Sequence, residues 1–392
     1  MLSASRRSSC VRGAGVDEEA ADILKSSHRR YRGPLRLHGR SVACIVNDAY
    51  IHLRPEDWLY QCHNAVMQVI DATTVRQRLS AAALVAALER VFRDGCSTPL
   101  RHHHTLPVSG EPDASLLLMP AWQVGGHLGI KLAAVFPGNT ARGLPTVSAT
   151  YVLMDARTGA VHAFIDGNEL TAQRTAAVSA LAARYLARAD ATQLLIVGTG
   201  RIATQLALTH AAVRPTLERI CIWGRTPAHA EHLAHTLRAH GLPAQRAPDL
   251  AAAVANADIV SCATLSTDPL LHGTWVRPGT HVDLVGGYTP AMREADDALI
   301  RRSTVFVDTL AGALHEAGDI VEPLRTGVLK ATAIHDLHAL CQGRHPGRST
   351  QSEITVFKSV GAALEDLAAA MLVAGTDATA RQPATSMQRT LA

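Results

Sequence analysis

The sequence predicts an α/β fold with a Rossmann-type doubly wound sheet, and three observations carry that prediction. Through the middle of the chain, apolar runs of strand length alternate with helical patterns, as in Leu194-Leu195-Ile196-Val197 followed by Ala203, Leu206 and Ala207. The composition is rich in alanine and poor in aromatics, with 47% hydrophobic and 4% aromatic residues, which favours helices packed on a sheet over a sandwich or barrel. Between the first such strand and its helix lies Gly198-Thr199-Gly200-Arg201-Ile202-Ala203, a Gly-x-Gly-x-x-Ala turn. In that strand–turn–helix setting a weak glycine pattern becomes a dinucleotide site.

Taken in order, the chain opens with an Arg-, His- and Ser-rich section that has little apolar periodicity and holds Cys10, Cys44 and Cys62. Residues 1–66 are expected to be a disordered or non-native N-terminal extension; Asp17, Glu18 and Glu19 argue against a transit peptide. From Met67 the texture changes. Met67–Asp71 reads as a strand and turn, and Leu79, Ala82, Ala83, Ala86, Ala87, Val91 and Phe92 mark one face of an amphipathic helix. Leu116–Ala121 and Gly129–Phe136 read as apolar strands, the second with Lys131 inside it; a lone ammonium is expensive to bury, so this lysine should reach solvent or face a polar cleft. Thr150–Asp155 and Val161–Phe164 form a hairpin, and Asp166-Gly167-Asn168 precedes a helix running from Thr171 to Leu186.

At the glycine turn, Gly198 permits the tight turn, Gly200 lets backbone approach a pyrophosphate, and the N–H groups at the helix start, around Arg201 and Ile202, face the phosphates. The next strand, Arg219–Trp223, ends in Gly224-Arg225-Thr226 with no Asp or Glu at its tip to bond a ribose 2′-hydroxyl. An arginine beside a hydroxyl suits a 2′-phosphate, so Arg225 and Thr226 point to NADPH, with NADH possible.

The formal charge of +4 is small for 392 residues, and no aromatic–basic interleaving appears, so nucleic acid is not an expected partner. No run approaches a membrane span. The seven cysteines show no zinc spacing, which fits free thiols and a cytoplasmic setting. His102-His103-His104 reads as a solvated loop and not a metal cluster, because neighbouring residues on an extended segment point apart.

Further motifs place the chain beside a known family. Gly129-Ile130-Lys131, Phe136-Pro137-Gly138-Asn139, Arg142–Val147, Leu170–Ala177, the Gly198 turn, Pro278–Gly287 and Thr355–Gly361 occur in the order seen in the ornithine cyclodeaminase/mu-crystallin family, which this sequence resembles from about Met67 onward. The resemblance implies a discontinuous α+β substrate and dimerisation domain (67–187 and 359–392), a Rossmann domain (188–358), and a homodimer. It implies an active-site role for Lys131, carboxylate binding by Arg174 and, less directly, by Arg101, and a cofactor cleft lined by Thr171, Thr175 and Thr264.

The residue types agree with that chemistry. A guanidinium fixes an α-carboxylate with two parallel bonds, and a nearby lysine can hold a carboxylate or deliver a proton to nitrogen. Two departures matter. Cyclising members carry an aspartate after the Gly-Gly, where this chain has Tyr288; a phenol with pKa near ~10 is a poor base at neutral pH. The glutamate such members place before Met-Pro is replaced by the Leu116–Leu118 run. With both acids absent, the site reads as cationic and without a strong base. That disfavours cyclodeamination and suits reduction of a cyclic imine already carrying a carboxylate. Ser261–Thr267 with Val285–Pro290 resembles the ketimine reductase branch of the family, which implies Δ1-pyrroline-2-carboxylate or Δ1-piperideine-2-carboxylate as substrate, with Tyr288 beside it. An alanine-type dehydrogenase, an ornithine cyclodeaminase that recycles its NAD within one turnover, and a non-catalytic NADPH-dependent ligand-binding protein remain open.

Overall fold

The computed structural model describes residues 67–376; the expected N-terminal extension and the tail from 377 lie outside the described residues. Two sheets organise them. The first contains β1 (Gln68–Ile70), β2 (His102–Leu106), β3 (Ala114–Trp122), β4 (His127–Val135), β5 (Val147–Asp155) and β6 (Val161–Asp166), side by side in the order β1-β6-β5-β4-β3-β2. All neighbours are antiparallel except β1 and β6.

Helices α1 (Ala72–Arg78), α2 (Ala81–Asp94) and α3 (Gly167–Leu186) follow these strands in the chain. The amphipathic stretch expected from Leu79 thus begins at Ser80, whose hydroxyl caps α2 by accepting from the Ala83 N–H. Helix α3 starts four residues before the expected Thr171, because the Asp166 carboxylate accepts from the Glu169 N–H and caps it there. The three histidines are a strand and not a loop: β2 is an exposed edge, its backbone paired with β3 from His102–Leu118 to Leu106–Ala114. No group of three metal-binding side chains is found among the described residues.

The second sheet is wholly parallel. It contains β7 (Gln193–Val197), β8 (Arg219–Trp223), β9 (Ala244–Arg246), β10 (Ile259–Cys262), β11 (His281–Leu284), β12 (Ser303–Val307), β13 (Ile334–Asp336) and β14 (Ile354–Lys358), in the order β13-β12-β14-β11-β10-β7-β8-β9. Its helices include α4 (Arg201–Val213), α5 (Pro227–Ala239), α6 (Leu250–Asn256), α7 (Asp297–Arg301), α8 (Leu310–Glu316), α9 (Gly318–Arg325) and α10 (Leu337–Cys341). The strand order reverses between β7 and β10, the place where α/β sheets open a ligand crevice at their C-terminal edge. The last strand, β14, enters the middle of the sheet and delivers the chain back to the first sheet as helix α11 (Ala363–Ala374). No helix among the described residues is long and apolar enough to cross a membrane.

Helices α2, α3 and α11 cover one face of the first sheet. Leu84, Leu88, Leu170, Leu181, Leu364 and Leu367 pack there against Tyr151, Leu153 and Ile165. On β4 that face carries Gly129, Lys131 and Ala133, while Ile130 and Leu132 point to the other side. Lys131 sits opposite Met119 on β3 and Tyr151 on β5. The Tyr151 ring lies over Gly129, in the space a Cβ would take.

A Gly129→Ala substitution therefore overpacks the core beneath Lys131. It is expected to destabilise the fold by ~1–3 kcal/mol, and Gly129→Ala/Tyr151→Phe to recover part of that loss, as read from chemical unfolding midpoints.

Candidate active site

The carboxylate of Asp366, in the first turn of α11, is where the two halves of the site meet. Its Oδ2 lies 2.8 Å from Lys131 Nζ, and its Oδ1 accepts from Arg174 Nε at 3.0 Å. Arg174 Nη1 donates to Glu365 at 2.7 Å. All four side chains are buried. Lys131 thus neither escapes to solvent nor faces an open cleft; a buried carboxylate makes its burial tolerable. Burial, with Arg174 and Arg101 nearby, pulls the Lys131 ammonium down to about 8 despite Asp366. Burial opposes ionisation of Asp366 as well, but Arg174 and Lys131 outweigh it and hold the group below the ordinary carboxylate range. Glu365 is pushed up to about 8, burial outweighing the pull of Arg174.

Arg101 comes from the other side. Its Nη2 donates to the Val360 and Gly361 carbonyls at 3.2 and 2.6 Å, and its Nε lies 3.1 Å from Glu316 Oε1. The Val360–Gly361 backbone is fixed by buried Asp308, whose Oδ2 accepts from both N–H groups, at 2.8 and 2.7 Å, and from the Ser359 hydroxyl. Gly361 has φ +81°, and a Cβ there would stand 2.7 Å from the Arg174 guanidinium, so only glycine fits. Between Arg101, Met119, Thr309, Glu316 and Gly361 lies a cavity of about 60 Å³. At ~10–15 Å³ per water, that is room for a few water molecules.

The expected absence of acids is corrected here. The two positions read from sequence indeed lack carboxylates, but the fold supplies Asp308, Glu316, Glu365 and Asp366 from other segments. Their signals were present: two acids on the otherwise apolar α11, and an aspartate ending the apolar run Val305-Phe306-Val307. Tyr288 is 37% exposed and does not line this cavity.

At the strand-order reversal, Gly198 has φ +123°, and a Cβ on it would press on the Ala263 carbonyl at 2.5 Å. Gly200 begins α4 with open space where its Cβ would be and no side chain capping the helix, leaving the Arg201 and Ile202 N–H groups at an uncapped first turn. Arg225 and Thr226 are exposed at the tip of β8. Thr175 is buried on α3, and the buried Thr171 hydroxyl has no partner. Thr264 is already committed, its N–H and hydroxyl both donating to Glu294 Oε1 at 2.8 and 2.9 Å.

Glu294 was missed by sequence reasoning. Fully buried, it also accepts from the Gly286 N–H at 2.8 Å, while Lys358 Nζ sits 3.7 Å from it and 3.0 Å from Asp319. This trio ties the loops after β10 and β11 to the end of β14. A lysine closing the apolar strand Ile354–Phe357 was its sequence signal.

A family model described as the ornithine cyclodeaminase/mu-crystallin family matches residues 64–379. The chain belongs to that family. It is 41% identical over 283 residues to the Δ1-pyrroline-2-carboxylate reductase of Paracoccus denitrificans, covering 70% of this chain and 90% of that one. Among solved structures, the Thermococcus litoralis Δ1-pyrroline-2-carboxylate reductase in complex with NADH and L-proline superposes with a TM-score of 0.74 at 32% identity, covering 79% of this chain and 97% of that one. The iminosuccinate reductase of Paracoccus denitrificans in complex with NAD+ gives 0.72 at 30% identity, covering 79% and 95%. The expected family and the Rossmann-type α/β fold are both borne out.

Asp366 is the test of the buried cluster. Asp366→Ala leaves Lys131 and Arg174 without their shared anion and is expected to cost ~3–5 kcal/mol, measured by urea unfolding at neutral pH.

Proposed function

We propose that this protein reduces cyclic ketimine carboxylates with a reduced nicotinamide dinucleotide, Δ1-pyrroline-2-carboxylate to L-proline and Δ1-piperideine-2-carboxylate to L-pipecolate. The observation that carries this reading is a small cavity lined by Arg101 at the C-terminal edge of a Rossmann-type sheet, where Gly361 joins it to the buried cluster of Lys131, Arg174 and Asp366. The reductases of Paracoccus and Thermococcus named above support it.

The dinucleotide, when bound, supplies the hydride; the protein's part is to bind, orient and polarise. Gly198, Gly200 and the uncapped first turn at Arg201 and Ile202 would hold the pyrophosphate, and Thr171 and Thr175 would line the cleft. Thr264 would present its loop to the cofactor, steadied by Glu294. Arg225 with Thr226 would take a 2′-phosphate, which makes NADPH the preferred donor. The substrate carboxylate would lie against Arg101, with Lys131 and Arg174 holding Asp366, and so the start of α11, in place beside it.

We further read residues 67–187 and 359–392 as a substrate and dimerisation domain and 188–358 as the cofactor domain. The first sheet leaves an apolar face uncovered, with Leu132 and Phe164 each 37% exposed and Val69 79% exposed. Such a face suits a second copy of the chain. Four free cysteines among the described residues suit a reducing cytoplasm.

The decisive experiment follows NADPH absorbance with Δ1-pyrroline-2-carboxylate and no ammonia. Net oxidation with proline as product is expected; an unchanged cofactor would point instead to an internally recycled cyclodeamination or to ligand binding alone. Arg225→Ala should raise KM for NADPH ~10–100-fold, the worth of a charge-assisted bond, and leave that for NADH within twofold. Equal losses would remove the phosphate role. Because Lys131 must be protonated to hold the Asp366 carboxylate, and with it the start of α11 beside the cavity, KM for the imine should climb as pH rises through about 8. In Lys131→Met that dependence should vanish, with KM ~10–100-fold higher throughout. Leu132→Asp should turn a dimer into a monomer by light scattering.

A further inference from the structure

Glu316 closes α8 and reaches the cavity alongside Arg101. One carboxylate oxygen, Oε1, is engaged by Arg101; the other, Oε2, is buried and has no hydrogen-bond partner. Among the described residues Glu316 is the one carboxylate lining the cavity. Two of the remaining acids of the site are spoken for. Asp366 is held by Lys131 and Arg174, and Asp308 by the Val360 and Gly361 backbone. Glu365 also keeps an unpaired oxygen, Oε1, but does not line the cavity.

A buried carboxyl oxygen without a partner is costly unless a ligand or a proton satisfies it. The substrate class proposed above offers a partner in the right place. In a cyclic ketimine carboxylate the ring nitrogen and the carboxylate sit on the same carbon, so whatever faces the nitrogen must neighbour whatever binds the carboxylate. Arg101 and Glu316, in contact at 3.1 Å, are such a pair.

We propose that Glu316 is the catalytic acid that protonates the imine nitrogen, an assignment that rests on the ketimine-reductase reading. The Glu316 O–H bond breaks as the nitrogen lone pair forms an N–H bond, and the new carboxylate is stabilised by Arg101. The ring carbon of the resulting iminium accepts a hydride from a reduced nicotinamide. The C=N π electrons then become the nitrogen lone pair, leaving a secondary amine and an oxidised nicotinamide, and Glu316 regains its proton from water. Lys131 is less well placed for this step, because its ammonium is turned to Asp366 and does not line the cavity. Burial lifts Glu316 above the ordinary carboxylate range; Arg101 opposes that, Asp308 adds to it, and His315 and His103 oppose it when charged.

The test compares wild type with Glu316→Gln, which keeps the shape and removes the acid. Wild-type kcat should fall as pH rises through the Glu316 pKa. The variant should lose ~10²–10⁴-fold in kcat and lose that alkaline limb, while KM for Δ1-pyrroline-2-carboxylate moves less than about threefold. A readout independent of turnover is binding of two flat analogues to the NADP+-loaded enzyme by calorimetry. Pyrrole-2-carboxylate, which carries a ring N–H, should bind at least ~10-fold more tightly than furan-2-carboxylate, the worth of one charge-assisted hydrogen bond. Glu316→Leu should erase the preference. If wild type reduces the imine but Glu316→Gln keeps kcat within threefold and the same alkaline limb, Glu316 is not the acid and the substrate reading stands. Equal wild-type affinity for the two analogues likewise overturns the assignment. A wild type that oxidises no cofactor with this imine overturns both readings.

Discussion

The structure hangs on one buried anion. Asp366 lies between Lys131 of β4 and Arg174 of α3 and binds three segments that are far apart in the chain. None of the charges could be buried alone, because the desolvation cost of an unpaired ion is several kcal/mol. The three are stable only together, and their pairing sets how α11 lies across the first sheet. The position of α11 in turn determines where Gly361 passes Arg174 and where its carbonyl meets Arg101. The cationic groups of the site are therefore positioned by the same interaction that completes the core.

A second network does similar work on the cofactor side. Glu294 collects backbone N–H groups from the loops after β10 and β11, and Lys358 sits between it and Asp319 to compensate both carboxylates. Lys358 is the last residue of β14, and Ser359 to Gly361 follow it directly. The two buried ion clusters are thus joined by six residues of backbone, Ser359 to Leu364, with Asp308 holding the first part of that link by its N–H groups. A site built this way is pre-organised: its donors are aimed before any ligand arrives. Glycine is required where loops come too close for a side chain, at Gly286 against Thr264 and at Gly361 against Arg174.

The dinucleotide turn was legible because everything that makes it is local. Strand, glycines and helix occupy Leu194 to Ala203, and apolar periodicity with two small residues is enough to specify them. Asp166 and Ser80 show the limit of that approach, since each moved a helix boundary through a single capping bond. The histidine run shows it again: His102–His104 carry no strand pattern of their own, and pairing with β3 makes them one. Arg101, Lys131 and Arg174 were found through resemblance to a family, not through spacing. The carboxylates that answer them lie hundreds of residues away, and no periodicity links Lys131 to Asp366.

By itself, then, the sequence determined the fold class and the dinucleotide turn, because each follows from residue type within a short window, while the three cationic residues were legible only through the family they resemble. The tertiary structure alone decided that carboxylates stand among the cationic groups, that Tyr288 does not line the cavity, and that Glu316 shares that cavity with Arg101. Those outcomes depend on which distant charges must be buried together. Desolvation acts on the assembled core, and a linear pattern does not contain it.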